Sequence, residues 1–202
     1  GGIWRNIGDE GHPTSPIFNP DGTLTFSSVY TVGDFWYGKN GIDTKRQVFR
    51  NTTSLSSSFF DNKIRVNGDF TFRNTNNNII QKRVQVPYST ATGRINYVGT
   101  TTNDLLFDRR ETQYLANNLY AEFENTFREK HYLKFMAGYN FEQSTYERLA
   151  AQRNGIIFED AKDLNLALGQ AVTAAGGDEQ WAILGGFSRL NYSFNDRYLL
   201  EV

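Results

Sequence analysis

The sequence predicts an all-β chain folded as an antiparallel meander of about six long strands. Three observations carry this. Apolar and polar residues alternate in several separate runs. The runs are divided in turn by short polar breaks and by much longer irregular segments. The composition suits strands, with 16 Phe and 11 Tyr beside abundant Asn and Thr. Successive side chains of a strand point to opposite faces, so each alternating run has one apolar and one polar face.

Residues 1–47 carry three of the four prolines and many glycines, with little alternation, and are expected to be mostly loop with a possible strand. The barrel-like pattern occupies 48–202. "QVFRNTTSLSSSFF" alternates weakly, with Phe49, Leu55 and Phe59 in one phase. After Asp61–Asn62 the alternation is faultless: Ile64, Val66, Gly68, Phe70 and Phe72 oppose Arg65, Asn67, Asp69, Thr71 and Arg73. Asn67–Gly68 is also a type I′ turn signal, but the alternation passes through it in phase, so one strand is expected. Residues 74–111 read as a long loop. "NNLYAEFENTF" then sets Leu119, Ala121, Phe123 and Phe127 against Asn118, Tyr120, Glu122 and Glu124.

Arg128–Lys130 is the second short break. "HYLKFMAGYNFEQ" places Leu133, Phe135, Ala137, Tyr139 and Phe141 opposite Lys134, Met136, Gly138, Asn140 and Glu142. Residues 149–180 read as a second long loop. "GGFSRLNYSFN" sets Leu190, Tyr192 and Phe194 against Phe187, Arg189, Asn191 and Ser193. Asn195–Arg197 is the third short break, after which Tyr198, Leu200 and Val202 resume the apolar phase.

Two architectures fit such faces. No run approaches the ~18 apolar residues of a membrane helix, but a transmembrane β-strand needs only about 9–11 residues, half of them facing water. Phe59 and Phe60, Phe127 and Tyr132, and Phe194 and Tyr198 lie beside the three short turns. Membrane barrels combine aromatic girdles, short periplasmic turns and long extracellular loops, so a barrel wall is favoured. The alternative is a soluble β-sandwich, a carbohydrate-binding module with Trp36, Tyr37 and Trp181 as its stacking platform.

The net charge of −1 leaves no electrostatic footprint for nucleic acid. With no Cys there is neither a Cys-ligated zinc site nor a disulfide. The opening "GGIWRNIGDEG" shows no signal peptide, and "DRYLLEV" ends in mid-alternation, as expected for a piece of a longer chain. Glu122 and Glu124 stand ~7 Å apart on one strand face, but a glycosidase pair converges from different elements. They are expected to be charges on a wall. Asp160 and Asp163 lie in a loop without EF-hand spacing. His12 and His131 lack the i, i+4 partner of a zincin and read as surface histidines. No catalytic, metal or cofactor-binding residue is expected, and the chain is not read as an enzyme. The candidates for lining a lumen or touching substrate are Trp36, Tyr37, Tyr120, Glu122, Glu124, Asn140 and Arg189.

"GGFSRLNYSFNDRYLLEV" resembles a phrase of SusC-like, TonB-dependent outer-membrane transporters, through Phe187, Arg189, Asn191, Tyr192, Phe194, Tyr198, Leu199, Leu200 and Glu201. "EKHYLKFMAGYNFEQ", "AAQRNG" and "TKRQVFRNTTSLSSSFFDNKIRVNGDF" resemble neighbouring stretches of the same barrels, so the likeness covers most of residues 30–202. It implies a mid-barrel fragment of a ~22-stranded transmembrane β-barrel. It also implies a plug domain and the rest of the barrel outside this chain, and a Gram-negative outer membrane. The implied partners are a SusD-type surface lipoprotein, the TonB complex acting through the plug, outer-membrane lipid and a glycan or peptide substrate. No substrate-binding residue carries over from the family.

Overall fold

The computed structural model describes residues 14–202, so His12 lies outside the described residues. Eight strands are present among them: β1 (Gly41–Phe59), β2 (Ile64–Arg83), β3 (Val86–Ala91), β4 (Arg94–Val98), β5 (Asp104–Phe127), β6 (His131–Asn154), β7 (Ala171–Phe194) and β8 (Tyr198–Glu201). Six form one sheet in the order β1-β2-β5-β6-β7-β8, and β3 and β4 form a separate hairpin. The sheet is the expected meander. Asn67–Gly68 lies inside β2.

The only other sheet among the described residues is the two-stranded hairpin β3–β4. The strands also run further than their alternation shows. Residues 74–111 were expected to be loop, yet β2 continues to Arg83 and β5 starts at Asp104. In the same way, β6 reaches Asn154 and β7 starts at Ala171 inside the expected loop 149–180. The reason lies in the side chains. Asn74 donates to Glu111 (2.8 Å), as does Gln113 (2.9 Å), and Asn76 donates to Asn74 (3.0 Å). Here polar residues occupy both faces, so the period-two signal disappears while backbone pairing persists.

The N-terminal region also departs from expectation. β1 begins at Gly41, before residue 48, and residues 26–37 are helical: Phe26–Ser28, a π-turn Val29–Gly33 and Asp34–Tyr37. Thr25 caps the first turn, accepting from the Ser28 N–H.

The three short turns have left-handed backbones. Arg128 and Glu129 have φ of 51° and 59°, and Asn195 and Asp196 have φ of 48° and 53°. Positive φ at both central residues is the type I′ geometry that matches strand twist. Phe60, Asp61 and Asn62 share the same region.

The chain divides into two compact units. One comprises Arg46–Asn77, Arg110–Arg148 and Gly177–Val202, and is sheet throughout apart from the short turns. Cross-strand contacts fix its faces. Thr52 meets Thr71 (3.0 Å), the Ser56 hydroxyl donates to Asn67 Oδ1 (2.7 Å), and Asn118 donates to Asp69 (2.8 Å) and accepts from Asn140 (2.5 Å). Phe49 meets Phe72 on the opposite face, with ring centroids 6.4 Å apart. The register therefore unites the polar phases on one face and the apolar phases on the other.

The other unit comprises residues up to Lys45, Asn78–Arg109 and Leu149–Gly176. It has two small cores. Val84, Leu105, Ile156, Ala161 and Ala167 form one, and Leu24, Val29 and Val86 the other. Tyr37 packs against both. Each fully buried aliphatic side chain stabilises by about 1.5–3 kcal/mol relative to exposure, which is what holds long connections in a defined shape.

Candidate functional site

On the polar face of the sheet unit the side chains of neighbouring strands form successive rungs. Nearest the short turns, the Arg65 guanidinium bridges two carboxylates, Nε to Glu122 Oε2 at 3.1 Å and Nη2 to Glu124 Oε2 at 2.8 Å. Lys134 Nζ lies 3.5 Å from Glu122 Oε1, and the Tyr132 hydroxyl donates to Glu124 Oε1 at 3.1 Å. Both glutamates therefore serve cation partners on the adjacent strands.

The next rung is the amide relay Asp69–Asn118–Asn140. Beside it Gly138 leaves room that no other residue would leave: a Cβ there would sit 2.5 Å from the Leu119 carbonyl oxygen and 2.8 Å from the Phe187 ring. The ring of Phe187 thus closes over Gly138, and Tyr120 stands on its other side. A third rung joins Arg73, Tyr114, Glu142 and Trp181. The Arg73 guanidinium lies 5.2 Å from the Tyr114 ring centre, the Tyr114 hydroxyl donates to Glu142 at 3.0 Å, and the Trp181 ring is 6.4 Å away. Cation–π and charge-assisted contacts of this kind hold flat rings in place.

Of the residues anticipated from sequence, Tyr120, Glu122, Glu124, Asn140 and Arg189 all belong to this face. Arg189 pairs with Glu201 of β8 and also donates to Asn191. Tyr114 was missed, and Trp181 was placed only in the sandwich alternative. Tyr114 has the same parity on β5 as Asn118 and Glu122, so continuing the alternation towards the N-terminus reaches it.

The opposite face has its own aromatic group beside the short turns. His131 Nδ1 is 2.7 Å from the Tyr192 hydroxyl, its ring lies 5.0 Å from Phe194, and Phe194 stacks on Tyr198. His131 is thus part of an aromatic cluster with Tyr192 and Phe194.

Trp36 and Tyr37 lie in the other unit, in the helical turn Asp34–Tyr37 and not at a strand end. Trp36 meets Phe18 edge-on, with centroids 5.7 Å apart. The Tyr37 hydroxyl donates to Glu159, and burial together with that carboxylate pushes its pKa well up. Lys39 pairs with Asp160 at 2.8 Å and holds the Asp160 carboxyl below its ordinary range. Asp163 accepts from the Asn165 N–H at 2.9 Å and caps the turn Leu164–Leu166. Both loop carboxylates thus have internal partners, and no cluster of three potential metal ligands occurs among the described residues. Around Trp36 lies a cavity of about 320 Å³, walled by Phe18, Trp36, Tyr37, Pro87, Tyr88 and Ile95.

No family model and no curated protein sequence matches the chain. Solved structures do. A structure of the RagAB peptide transporter matches with a TM-score of 0.66 at 16% identity, over 89% of this chain and 19% of that one. The RagAB peptide importer matches in its "closed-closed" and "open-open" states, each with a TM-score of 0.65 at 17% identity, over 83% of this chain and 18% of the other. The chain spans about a fifth of the length of the chains it matches, and its fold is that of a segment of a β-barrel transporter.

Proposed function

We propose that this chain is a wall segment of a SusC-like, TonB-dependent outer-membrane transporter that imports an oligosaccharide or peptide nutrient with a SusD-type lipoprotein as its surface partner. One observation carries the reading. A continuous polar ladder backs onto a face whose apolar side chains stay uncovered: Phe70, Leu119, Phe135 and Tyr139 are all about 40% exposed. A soluble protein seldom leaves so regular an apolar face in water. In a barrel that face meets lipid, the ladder lines the lumen, and the belt at His131, Tyr192, Phe194 and Tyr198 sits at the membrane interface.

β1 and β8 are the edges of the sheet, and each offers an unpaired ladder for the next barrel strand. The segment supplies wall, lumen surface and outer loops; energy reaches the substrate through TonB and a plug domain. Among the described residues no helix is long and apolar enough to cross a membrane, and the strands, at 19–24 residues for β1, β2, β5, β6 and β7, exceed the about 9–11 residues a crossing needs. The test is the behaviour of the intact gene product. It should fractionate with the outer membrane and require detergent for extraction. Recovery in the aqueous phase without detergent would end the transporter reading.

A further inference from the structure

We infer that the cavity beside Trp36 is a subsite for one apolar side chain of a peptide substrate; this rests on the transport reading and narrows its substrate class.

Size is the first argument. At about 320 Å³ the cavity lies at the lower end of the range of ligand pockets, about 300–1,000 Å³, and suits one residue's side chain better than a length of glycan. Chemistry is the second. The walls are mainly aromatic and aliphatic, and of the three hydroxyls among the lining residues those of Thr23 and Tyr37 are already committed. Thr23 Oγ1 donates to Asp21 at 2.6 Å and accepts from Asn19 at 3.0 Å, and the Tyr37 hydroxyl serves Glu159. A sugar ring would bring several hydroxyls needing partners, and each one left unpaired costs affinity. An apolar side chain needs none.

Preorganisation is the third. Leu24, which lines the cavity, forms one buried core with Val29 and Val86, and Phe18 braces Trp36 edge-on. Little ordering remains to be done when a ligand enters. The fourth argument selects a peptide over a free hydrocarbon. Ile95 belongs to β4, which among the described residues pairs only with β3 through Val86↔Val98, Pro87↔Tyr97, Tyr88↔Asn96 and Ala91↔Arg94. An extended peptide along the other edge of β4 would gain main-chain hydrogen bonds while a side chain entered the cavity.

The experiment uses the full-length transporter in detergent and a photo-leucine tripeptide as probe. Cross-links should map by mass spectrometry to segments 14–40 and 84–98. Trileucine should compete, while triglycine and maltohexaose should not. Ile95→Asp should cut labelling about tenfold by placing a carboxylate in the apolar wall, whereas Ile95→Val, which keeps the wall apolar, should leave it unchanged. Labelling confined to other segments, displacement by maltohexaose, or equal labelling of Ile95→Asp and wild type would each overturn the subsite. Because binding is read without uptake, the two readings fail separately. A labelled cavity in a protein that imports nothing would sink the transport reading, and uptake with an unlabelled cavity would sink the subsite.

Discussion

Arg65 on β2 and Glu122 on β5 meet across the strand boundary, Nε to Oε2 at 3.1 Å, with the Glu122 side chain only 17% exposed. Lys134 approaches the other oxygen of the same carboxylate. One glutamate thus ties three strands together on the polar face, and its sequence neighbour Phe123 must point the other way. In the full-length barrel, Glu122→Gln should cost about 1 kcal/mol or less, because Arg65 keeps Glu124. Phe123→Lys should cost about 2–4 kcal/mol if it lies near the bilayer midplane. Glu122→Lys should exceed Glu122→Gln, since it sets a third cation against Arg65 and Lys134. Denaturant titration of folding into lipid vesicles measures all three. If Glu122→Gln is costlier than Phe123→Lys, the two faces are interchanged.

The turn Arg128–Glu129 holds two non-glycine residues at positive φ. Each bears the crowding of Cβ against the following carbonyl, about 1–2 kcal/mol for an L-residue in that region. Glu129→Gly removes one such term and puts glycine at the second central position, where type I′ turns favour it. It should stabilise the barrel by roughly 1 kcal/mol. An unchanged unfolding midpoint would show that the turn is not held in this geometry.

How much of this was legible in the sequence follows from where the two faces differ. Between Ile64 and Arg73, or Leu133 and Phe141, one side is apolar and the other is not, so period two shows in the letters and assigns both faces. Over residues 74–78, and again over 108–113, both faces are polar and the strand becomes invisible although its backbone still pairs. The helical turns over 26–37 are too short for any period to emerge. Rungs such as Tyr114–Glu142 depend on inter-strand register, which one strand's letters do not contain. The cavity at Trp36 depends on the Phe18 and Tyr88 segments meeting, and no local spacing announces that.

Gly138 and Gly185 make a matched pair for a substitution test. A Cβ at Gly138 would lie 2.5 Å from a backbone oxygen, which cannot rotate away, whereas at Gly185 nothing stands within 4 Å. Gly138→Ala should therefore cost about 1–3 kcal/mol through overpacking. Gly185→Ala should be neutral or slightly stabilising, because alanine orders the unfolded chain at no steric cost. Unfolding midpoints of the two variants in lipid decide it, and equal effects would mean that Phe187 does not close over Gly138.

The Lys39–Asp160 pair ties residues 37–40 to the loop 155–170 and carries a pH signature. Lys39 holds the Asp160 carboxyl below its ordinary range, so that contribution is complete above the usual carboxylate pKa of about 3.9 and is lost as pH falls through the depressed folded value. Asp160 raises the Lys39 ammonium, so its contribution is complete below the usual lysine pKa of about 10.4 and is lost as pH rises through the raised value. Hydrogen-exchange protection factors at the Ile157 and Leu168 amides, which bond to Leu166 and Gly155, should be level across neutral pH and fall at both extremes. Asp160→Asn should lower protection at neutral pH and match wild type in strong acid. A uniform offset at every pH would show that the pair contributes through packing alone.

The orientation of the wall can be read with single cysteines, because this chain has none of its own. Short turns face the periplasm and long connections face outward in outer-membrane barrels, where the outer loops make room for substrate and partner contacts. The strand order β1-β2-β5-β6-β7-β8 puts turns 60–63, 128–130 and 195–197 on one side, and the connections 84–103 and 155–170 on the other. Glu129→Cys and Asp196→Cys report the first side, and Thr101→Cys and Lys162→Cys the second; all four positions are exposed. In a full-length background without other cysteines, a membrane-impermeant maleimide on intact cells should label Thr101→Cys and Lys162→Cys. It should reach Glu129→Cys and Asp196→Cys only after the outer membrane is permeabilised. All four should react in detergent, which separates a shielded site from an inaccessible compartment. Labelling of the turn cysteines in unbroken cells, with the loop cysteines silent until permeabilisation, would invert the topology and place the cavity at Trp36 on the periplasmic side, out of reach of an incoming substrate.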